Sequence, residues 1–301
     1  MNGNKNCGLK VLITGSEGFT GKYMQAEMEA FGYVVYRSGT NSSIQASNYF
    51  ILDLLNEDSI RNCLESIQPD IIIHLAAIAY VGHNDIQQFY DVNTVGTRNL
   101  LAVTAQLNIR PRSILIASSA NVYGNNTKSV LSEEDKVYPA NDYAVSKLAM
   151  EYVAKIWMNQ LPIIITRPFN YTGVGQQDRF LIPKIVRHFK QSEGVIELGN
   201  INVYREFNDV RFIVSVYRKL IESEKTGFLC NVCTGEMYSP KDIINICEKI
   251  TGYDLKIKTN LDYIRQNEIT KLCGNNAFLQ TIIGPSIKFS IIETLQWMLK
   301  S

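Results

Sequence analysis

The chain has 301 residues, 46% hydrophobic and 20% charged, with a net charge of +1. That length suits one large or two modest domains with a sizeable core. The near-zero charge gives no electrostatic support for nucleic acid or a membrane surface as partner. No apolar run approaches the roughly 18 residues of a membrane span, and the opening MNGNKNCGLK has no apolar segment of the signal-peptide kind, so a cytoplasmic location is expected.

Lys10–Thr14 is a short apolar run, the profile of a buried parallel strand. Gly15-Ser16-Glu17-Gly18-Phe19-Thr20-Gly21 follows at once, then a helical stretch over 22–30 that Gly32 ends. Tyr33–Arg37 predicts strand two and Tyr49–Asp53 strand three; Glu57–Ile67 fits a helix capped by Asn56. Ile71–Leu75 is strand four, Val92–Leu107 a helix, Ser113–Ala117 strand five, Asp142–Gln160 a long helix and Ile163–Thr166 strand six. Strands alternating with helices predict an α/β fold, a doubly wound parallel (Rossmann) sheet with right-handed crossovers. In such sheets ligands bind past the carboxyl ends of the strands, which singles out Gly15, Arg37, Asp53, Ala76, Ser119 and Arg167.

After Phe169 the rhythm changes. Strand-like pieces at Val195–Leu198 and Phe228–Val232 mix with helices expected at Phe180–Gln191, Val210–Ser223, Pro240–Thr251 and Ser286–Leu299. This predicts a dinucleotide-binding domain over 1–168 and a smaller α/β substrate domain over 169–301, interleaved with the first. The six cysteines are scattered, and Cys230 and Cys233 sit in a strand-like run, so buried, inert thiols are expected. Three histidines without ligand-like spacing predict no metal site.

Three glycines between a strand and a helix permit a tight turn and close approach of backbone to a pyrophosphate. The helix amino end adds N–H donors and a positive dipole. The spacing Gly15-x-x-Gly18-x-x-Gly21 differs from the G-x-G-x-x-G fingerprint. At the end of strand two stands Arg37-Ser38-Gly39-Thr40, with no acid to bind a ribose 2′-hydroxyl. Arg37 could pair with a 2′-phosphate or simply be solvated, so NADP(H) is favoured over NAD(H). Asp53 could hydrogen-bond an adenine amino group. Further on, Tyr143 and Lys147 lie four apart on one helix face, after the hydroxyl-rich Ser118-Ser119-Ala120-Asn121. A nearby ammonium makes a phenol easier to ionise, and such a phenol can pass a proton to or from a substrate oxygen that a serine hydroxyl also holds.

The set TGSEGFTG, HLAA, SSANVYG, YAVSK and RPFNYTGVGQ resembles the extended short-chain dehydrogenase/reductase family, whose members act on nucleotide sugars. The resemblance implies Ser119, Tyr143 and Lys147 as the catalytic set, with Asn93 supporting Lys147 through a proton relay. It implies a cofactor surface of Gly15, Ser16, Gly18, Phe19, Thr20, Gly21, Arg37, Ser38, Asp53, Leu54, Leu75, Ala76 and Ala77, joined by Tyr143, Lys147, Pro168 and Phe169. The segments ELGNINVYREFNDVR, LCNVCTGEMYS and IRQNEI resemble substrate-domain segments of GDP-mannose 4,6-dehydratases and GDP-4-keto-6-deoxy-mannose reductases. By that resemblance Arg205 and Arg265 grip the substrate diphosphate, with His83, Ser119, Asn170 and Glu268 completing the substrate set. For Arg205 a salt bridge to Glu206 or Asp209 is the alternative. In IRQNEI, Gln266 stands where related proteins carry Pro.

Dehydratases of the family keep acids just after the catalytic Ser or Thr; this chain has Ala120 and Asn121. The expected activity is therefore an NAD(P)H-dependent reductase of a nucleotide-linked 4-keto-6-deoxy sugar, GDP-linked by preference. A nucleotide-sugar 4-epimerase with tightly bound NAD is the alternative, because SSANVYG also resembles the epimerase version of that segment. A non-catalytic nucleotide sensor is a third reading, against which the intact Ser119, Tyr143 and Lys147 weigh. The family suggests a homodimer through Val92–Leu107 and Asp142–Gln160.

Overall fold

Apolar runs with no polar alternation make strands buried on both faces, and four segments of this chain take that form in the middle of one sheet. The structure, a computed structural model, describes residues 8–82, 84–264, 268–286 and 288–301. The chain divides into two compact units, the first made of Met1–Val122, Asn141–Arg167 and Val214–Cys230, the second of Tyr123–Ala140, Pro168–Ile213 and Asn231–Ser301.

A seven-stranded sheet organises the first unit. Its strands are β1 (Lys10–Thr14), β2 (Val34–Gly39), β3 (Tyr49–Ile51), β4 (Ile71–His74), β5 (Ser113–Ala117), β6 (Ile163–Pro168) and β11 (Phe228–Val232), in the order β11-β6-β5-β4-β1-β2-β3. Every pairing from β3 through β6 is parallel. The reversal between β1 and β4 is the switch point of a doubly wound sheet. Register aligns the carboxyl ends: Thr14 lies opposite both Ser38 and His74, and His74 opposite Ile116. The segments leaving β1, β2, β4 and β5 thus start side by side. The helices are α1 (Phe19–Ala30), α2 (Glu57–Ile67), α3 (Ile86–Tyr90), α4 (Thr97–Gln106), α5 (Asp142–Trp157) and α7 (Val210–Glu222). The core between sheet and helices includes Leu12, Leu64, Ile72, Leu101, Ile114, Met150 and Ile165.

The second unit carries small sheets: β7 (Tyr171–Thr172) with β10 (Asn208–Asp209), β8 (Val195–Leu198) with β13 (Lys256–Thr259), and β12 (Met237–Tyr238), β9 (Tyr204–Glu206) and β14 (Lys271–Leu272) together. Its helices α6 (Leu181–Lys190), α8 (Pro240–Thr251), α9 (Ala277–Ile283) and α10 (Ile291–Lys300) frame a separate core around Ile185, Ile196, Ile243 and Leu295.

Several boundaries differ from expectation for local reasons. Helix α1 begins at Phe19 because the glycine loop turns straight into it, with Gly18 as its extended N-cap. The stretch expected as one helix over 92–107 is a π-helical turn, Asp91–Gly96, followed by α4. The last helix starts at Ile291, where Ser290 and Glu293 form a capping box. Phe228–Val232, read as part of the second half, is an edge strand of the large sheet beside β6. Helices α3 and α9 were not expected; both are short. Among the described residues no helix is long and apolar enough to cross a membrane. The described cysteines are buried and unbridged, and burial pushes the thiols of Cys63, Cys247 and Cys273 up to about 12.

Candidate active site

The loop after β1 is shaped by contacts that only glycine tolerates. Gly15 has φ +68, and a Cβ there would sit 2.7 Å from the Ala76 backbone. A Cβ on Gly21 would lie 2.4 Å from Gly15 O. At Gly18 a Cβ would meet only Gly15 O, at 3.2 Å. The loop is therefore pressed against the segment after β4 at Gly15 and against itself at Gly21, while Gly18 keeps a bare, open backbone at the amino end of α1. Such a cradle suits a pyrophosphate, and Asp53, exposed just past β3, uses one carboxylate oxygen to accept from Leu55 N and leaves the other for a ligand. These residues fit the adenosine diphosphate half of a nicotinamide dinucleotide.

Several of the residues expected at the cofactor also have structural duties. Ser16 donates its hydroxyl to Ser38 O, and the fully buried Ser38 donates to Ile13 O, so both hydroxyls staple the loop to β2. Leu54 is buried in the core and packs on Gly96. Leu75, Ala76 and Ala77 are half-buried past β4, where Ala76 meets Gly15. Phe19 packs edge-on against Tyr23, and Thr20 follows it, half-buried in the first turn of α1.

A hydrogen-bond chain crosses beneath this edge. Thr14 and Thr97 hydroxyls flank His74, at 2.8 Å from Nδ1 and 2.9 Å from Nε2. Since Thr97 donates to Asn93 O, Nε2 carries the proton and Nδ1 accepts from Thr14. Burial first, then the charge of Lys147, lowers the His74 pKa to about 3, so this ring is neutral at ordinary pH. Asn93, within the π turn, receives Ile78 N and donates to Ile78 O and Ser146 Oγ. Its amide donates to the hydroxyl of Ser146, the residue before Lys147 in α5. A π turn at such a point re-aims side chains that a regular helix would misplace.

Helix α5 grips the end of β5. Lys147 Nζ donates to Ala117 O at 2.8 Å. One turn further along, Glu151 accepts from Ser118 Oγ at 2.6 Å and holds Arg167 through two bonds, 2.8 and 2.6 Å. The two residues before Ser119 are thus pinned by two successive turns of one helix. Ser119 Oγ then accepts from both the backbone N and the side-chain amide of Asn121, at 3.2 and 3.1 Å. Its two lone pairs are engaged and its proton is left to give to a substrate oxygen. Tyr143, one turn before Lys147, is 7% exposed, with its ring tilted against Phe89 at 6.0 Å. The start of α5 is anchored by Asn141, which caps Ala144 N, and by Asp142, which accepts from Tyr90.

Glu151 and Asn121 were not singled out in the sequence. Glu151 is four residues past Lys147, a helical spacing that could have found it; the Asn121 contact comes from the tight turn after Ser119 and has no sequence signature. Of the residues expected to touch substrate, His83 and Arg265 lie outside the described residues. Ser119 lies in the first unit, past β5, and the second unit holds Asn170, Arg205 and Glu268. Asn170 is half-buried and its carbonyl receives Asn208. Phe169, after the buried Pro168, is itself fully buried against Tyr123, so its side chain is core rather than cofactor surface. Arg205 donates to Tyr204 O and Ile269 O. The salt-bridge alternative for it fails, because Glu206 takes Asn208 and the amides of Thr234 and Gly274, while Asp209 takes Arg211. Glu268 is half-buried, and its carbonyl receives Asn125. Among the described residues no cluster of His, Cys, Asp and Glu could hold a metal ion.

A doubly wound sheet with a bare glycine loop at its switch point, and a serine, tyrosine and lysine gathered around the end of β5, defines a dinucleotide-dependent enzyme of the short-chain dehydrogenase/reductase type. The chain belongs to the NAD dependent epimerase/dehydratase family, whose model matches residues 11–233. It is 34% identical over 293 residues, 95% of each chain, to GDP-6-deoxy-D-talose 4-dehydrogenase of Aggregatibacter actinomycetemcomitans. Among solved structures it resembles an epimerase-like protein of Burkholderia cenocepacia at 41% identity and a TM-score of 0.91, covering 97% of each chain. It also resembles RMD from Pseudomonas aeruginosa complexed with NADPH, at 30% identity and a TM-score of 0.85, covering 97% of this chain and 98% of that one.

Burial lowers the Lys147 pKa to about 8, against the opposing charge of Glu151. A lysine with a depressed folded-state pKa weakens the fold while it is charged in both states, below about pH 8. That penalty is relieved as pH rises from about 8 toward the unfolded value near 10.4. In lysine-labelled protein followed by NMR, one Cε resonance is expected to titrate near pH 8 and to vanish in Lys147→Arg. A titration midpoint for Lys147 above pH 10 contradicts the burial described.

Proposed function

We propose that this chain is an NAD(P)H-dependent reductase of a nucleotide-linked 4-keto-6-deoxy sugar, GDP-linked by preference. The observation that carries this is the segment after Ser119: Ala120 is buried, and Asn121 spends its amide on the Ser119 hydroxyl. Neither is a general acid or base, and removing water across C5 and C6 needs both. Two loop carboxylates that could have substituted are engaged: Asp85 caps α3 and Asp178 pairs with Arg187. Hydride exchange at C4 needs only a proton donor beside the carbonyl. When bound, the nicotinamide supplies that hydride or accepts it. Tyr143 gives its phenolic proton to the C4 oxygen as charge develops there. Lys147 as a cation favours the phenolate left behind. Ser119, with its acceptor sites filled by Asn121, donates to the same oxygen and polarises it. Arg205 offers a permanent cation suited to the substrate diphosphate. The 34% identical relative, named as a 4-dehydrogenase of a GDP-linked 6-deoxy sugar, supports redox chemistry at that carbon.

A 4-epimerase of nucleotide sugars is the second reading, favoured by the epimerase-like structure at 41% identity. It would use the same Ser119, Tyr143 and Lys147 with no net consumption of cofactor.

We also propose a homodimer through α5. Val145, Tyr152 and Ile156 are 38%, 59% and 71% exposed and share one face of that helix. Light scattering is expected to give a dimer for the wild type and a monomer for Ile156→Asp; a monomeric wild type excludes the assembly.

With GDP-4-keto-6-deoxy-mannose and reduced cofactor, one equivalent of cofactor is expected to be oxidised per sugar reduced. Tyr143→Phe should lose about 10²–10⁴-fold in rate while still binding dinucleotide. Sugars interconverting at constant cofactor would establish the epimerase instead, and a product one water lighter from GDP-mannose would establish a dehydratase. Near-wild-type turnover by Tyr143→Phe would remove Tyr143 from its role.

A further inference from the structure

Arg37 is the residue from which a 2′-phosphate site is argued, and its surroundings turn it away from that task. Its Nη2 donates to Asn48 Oδ1 at 3.2 Å, and its guanidinium carbon lies 5.8 Å from the centroid of the Tyr49 ring. Asn48 is itself held by Val35 O, at 3.3 Å. Arg37 Nε is buried without a hydrogen-bond partner. The cation is thus drawn across β2 onto the Asn48–Tyr49 pair, partly as a cation–π contact.

Past Arg37 the strand runs on to Gly39, and there a different charge stands. Glu17 Oε2, reaching over from the glycine loop, lies 2.7 Å from where a Cβ of Gly39 would be, and the Tyr49 hydroxyl lies 2.8 Å from the same point. The Glu17 carboxylate and the Tyr49 hydroxyl occupy the volume that a side chain on Gly39 would take. That hydroxyl is buried without a hydrogen-bond partner of good geometry. Its pKa is raised, by burial first and by the Glu17 charge next, and the opposing charge of Arg37 has the smaller effect. The Glu17 carboxylate thus acts on this corner more strongly than the Arg37 cation does. In doubly wound dinucleotide sites an acid at the end of β2 binds the free ribose 2′-hydroxyl and excludes a 2′-phosphate. Residues 37–40 contain no acid, but the fold brings one to the same place from the loop.

We propose that Glu17 sets the cofactor preference of this enzyme: it accepts from the ribose hydroxyls of NAD(H) at the end of β2 and repels the 2′-phosphate of NADP(H). The inference rests on dinucleotide binding by the glycine loop and deepens it. A like-charge pair at a few ångströms, at an effective dielectric near 20, is ample for a tenfold discrimination.

Calorimetric titration of the purified protein with NADH, NADPH, AMP and adenosine 2′,5′-bisphosphate tests this without turnover. Wild type is expected to bind NADH and AMP about tenfold or more tighter than their 2′-phosphorylated counterparts. The isosteric Glu17→Gln should close that gap mainly by tightening NADPH and the bisphosphate. Arg37→Ala should leave the ratio within about threefold, which is the readout that a phosphate-reading arginine would fail. Wild-type preference for NADPH, or an unchanged ratio in a Glu17→Gln protein that melts like wild type, overturns the proposal while dinucleotide binding stands. Failure of every dinucleotide to bind overturns the dinucleotide reading itself, and this proposal with it.

Discussion

The site depends on one docking contact, the seating of α5 on the carboxyl end of β5. Lys147 and Glu151 project from successive turns of the helix, and each holds one of the two residues that precede Ser119. A buried ammonium satisfied by a carbonyl, beside a buried Glu151–Arg167 pair, is costly to assemble and still more costly to leave half-made. Removing one partner of such a pair typically costs about 3–5 kcal/mol. The arrangement therefore tolerates few alternatives, and the Ser119 hydroxyl and the Lys147 charge are fixed in one relation. The same placement sets the electrostatics. Burial brings Lys147 toward neutral pH, Glu151 restrains that shift, and the cation in turn helps keep His74 uncharged.

Around this contact the sheet register does the rest. Thr14, Ser38 and His74 stand abreast, so the glycine loop, the end of β2 and the segment after β4 emerge together. Gly15 is admitted only because nothing projects from it toward Ala76. The neutral His74, bridged to two threonines, ties β4 to β1 and to the π turn that presents Asn93. A rigid edge with bare backbone at Gly18, a serine proton left free for donation and a poised cation is suited to proton and hydride exchange at a carbonyl. Ala120 and Asn121, which follow Ser119, carry no acid or base to remove a proton from a neighbouring carbon.

The strands of the sheet centre were legible because their residues are apolar without alternation, and that pattern is local. The positions of Gly15, Ser119, Tyr143 and Lys147 at strand ends and helix starts followed from the same order of elements. What stayed hidden was contact between distant segments. Phe228–Val232 looked like a strand of the second half, since nothing local tells which sheet a strand joins. The structural role of Ser16 and Ser38, whose hydroxyls bond the backbone across the loop and β2, has no sequence signature. The engagement of Arg37 by Asn48 and Tyr49, and the reach of Glu17 from the loop to Gly39, also join segments distant in sequence. Side chains that act through tertiary placement are invisible to spacing, and most of the differences at this site are of that kind.

The central claim is that hydride moves between the nicotinamide and C4 of the sugar, with no chemistry at C5 or C6. Its most direct test follows the label from reduced dinucleotide deuterated at the transferable position, given with a GDP-linked 4-keto-6-deoxy sugar, by mass and NMR analysis of the product. The account predicts one deuteron at C4, none at C5 or C6, and stoichiometric oxidation of the cofactor. A product carrying protium at C4 while the label stays in the cofactor contradicts it.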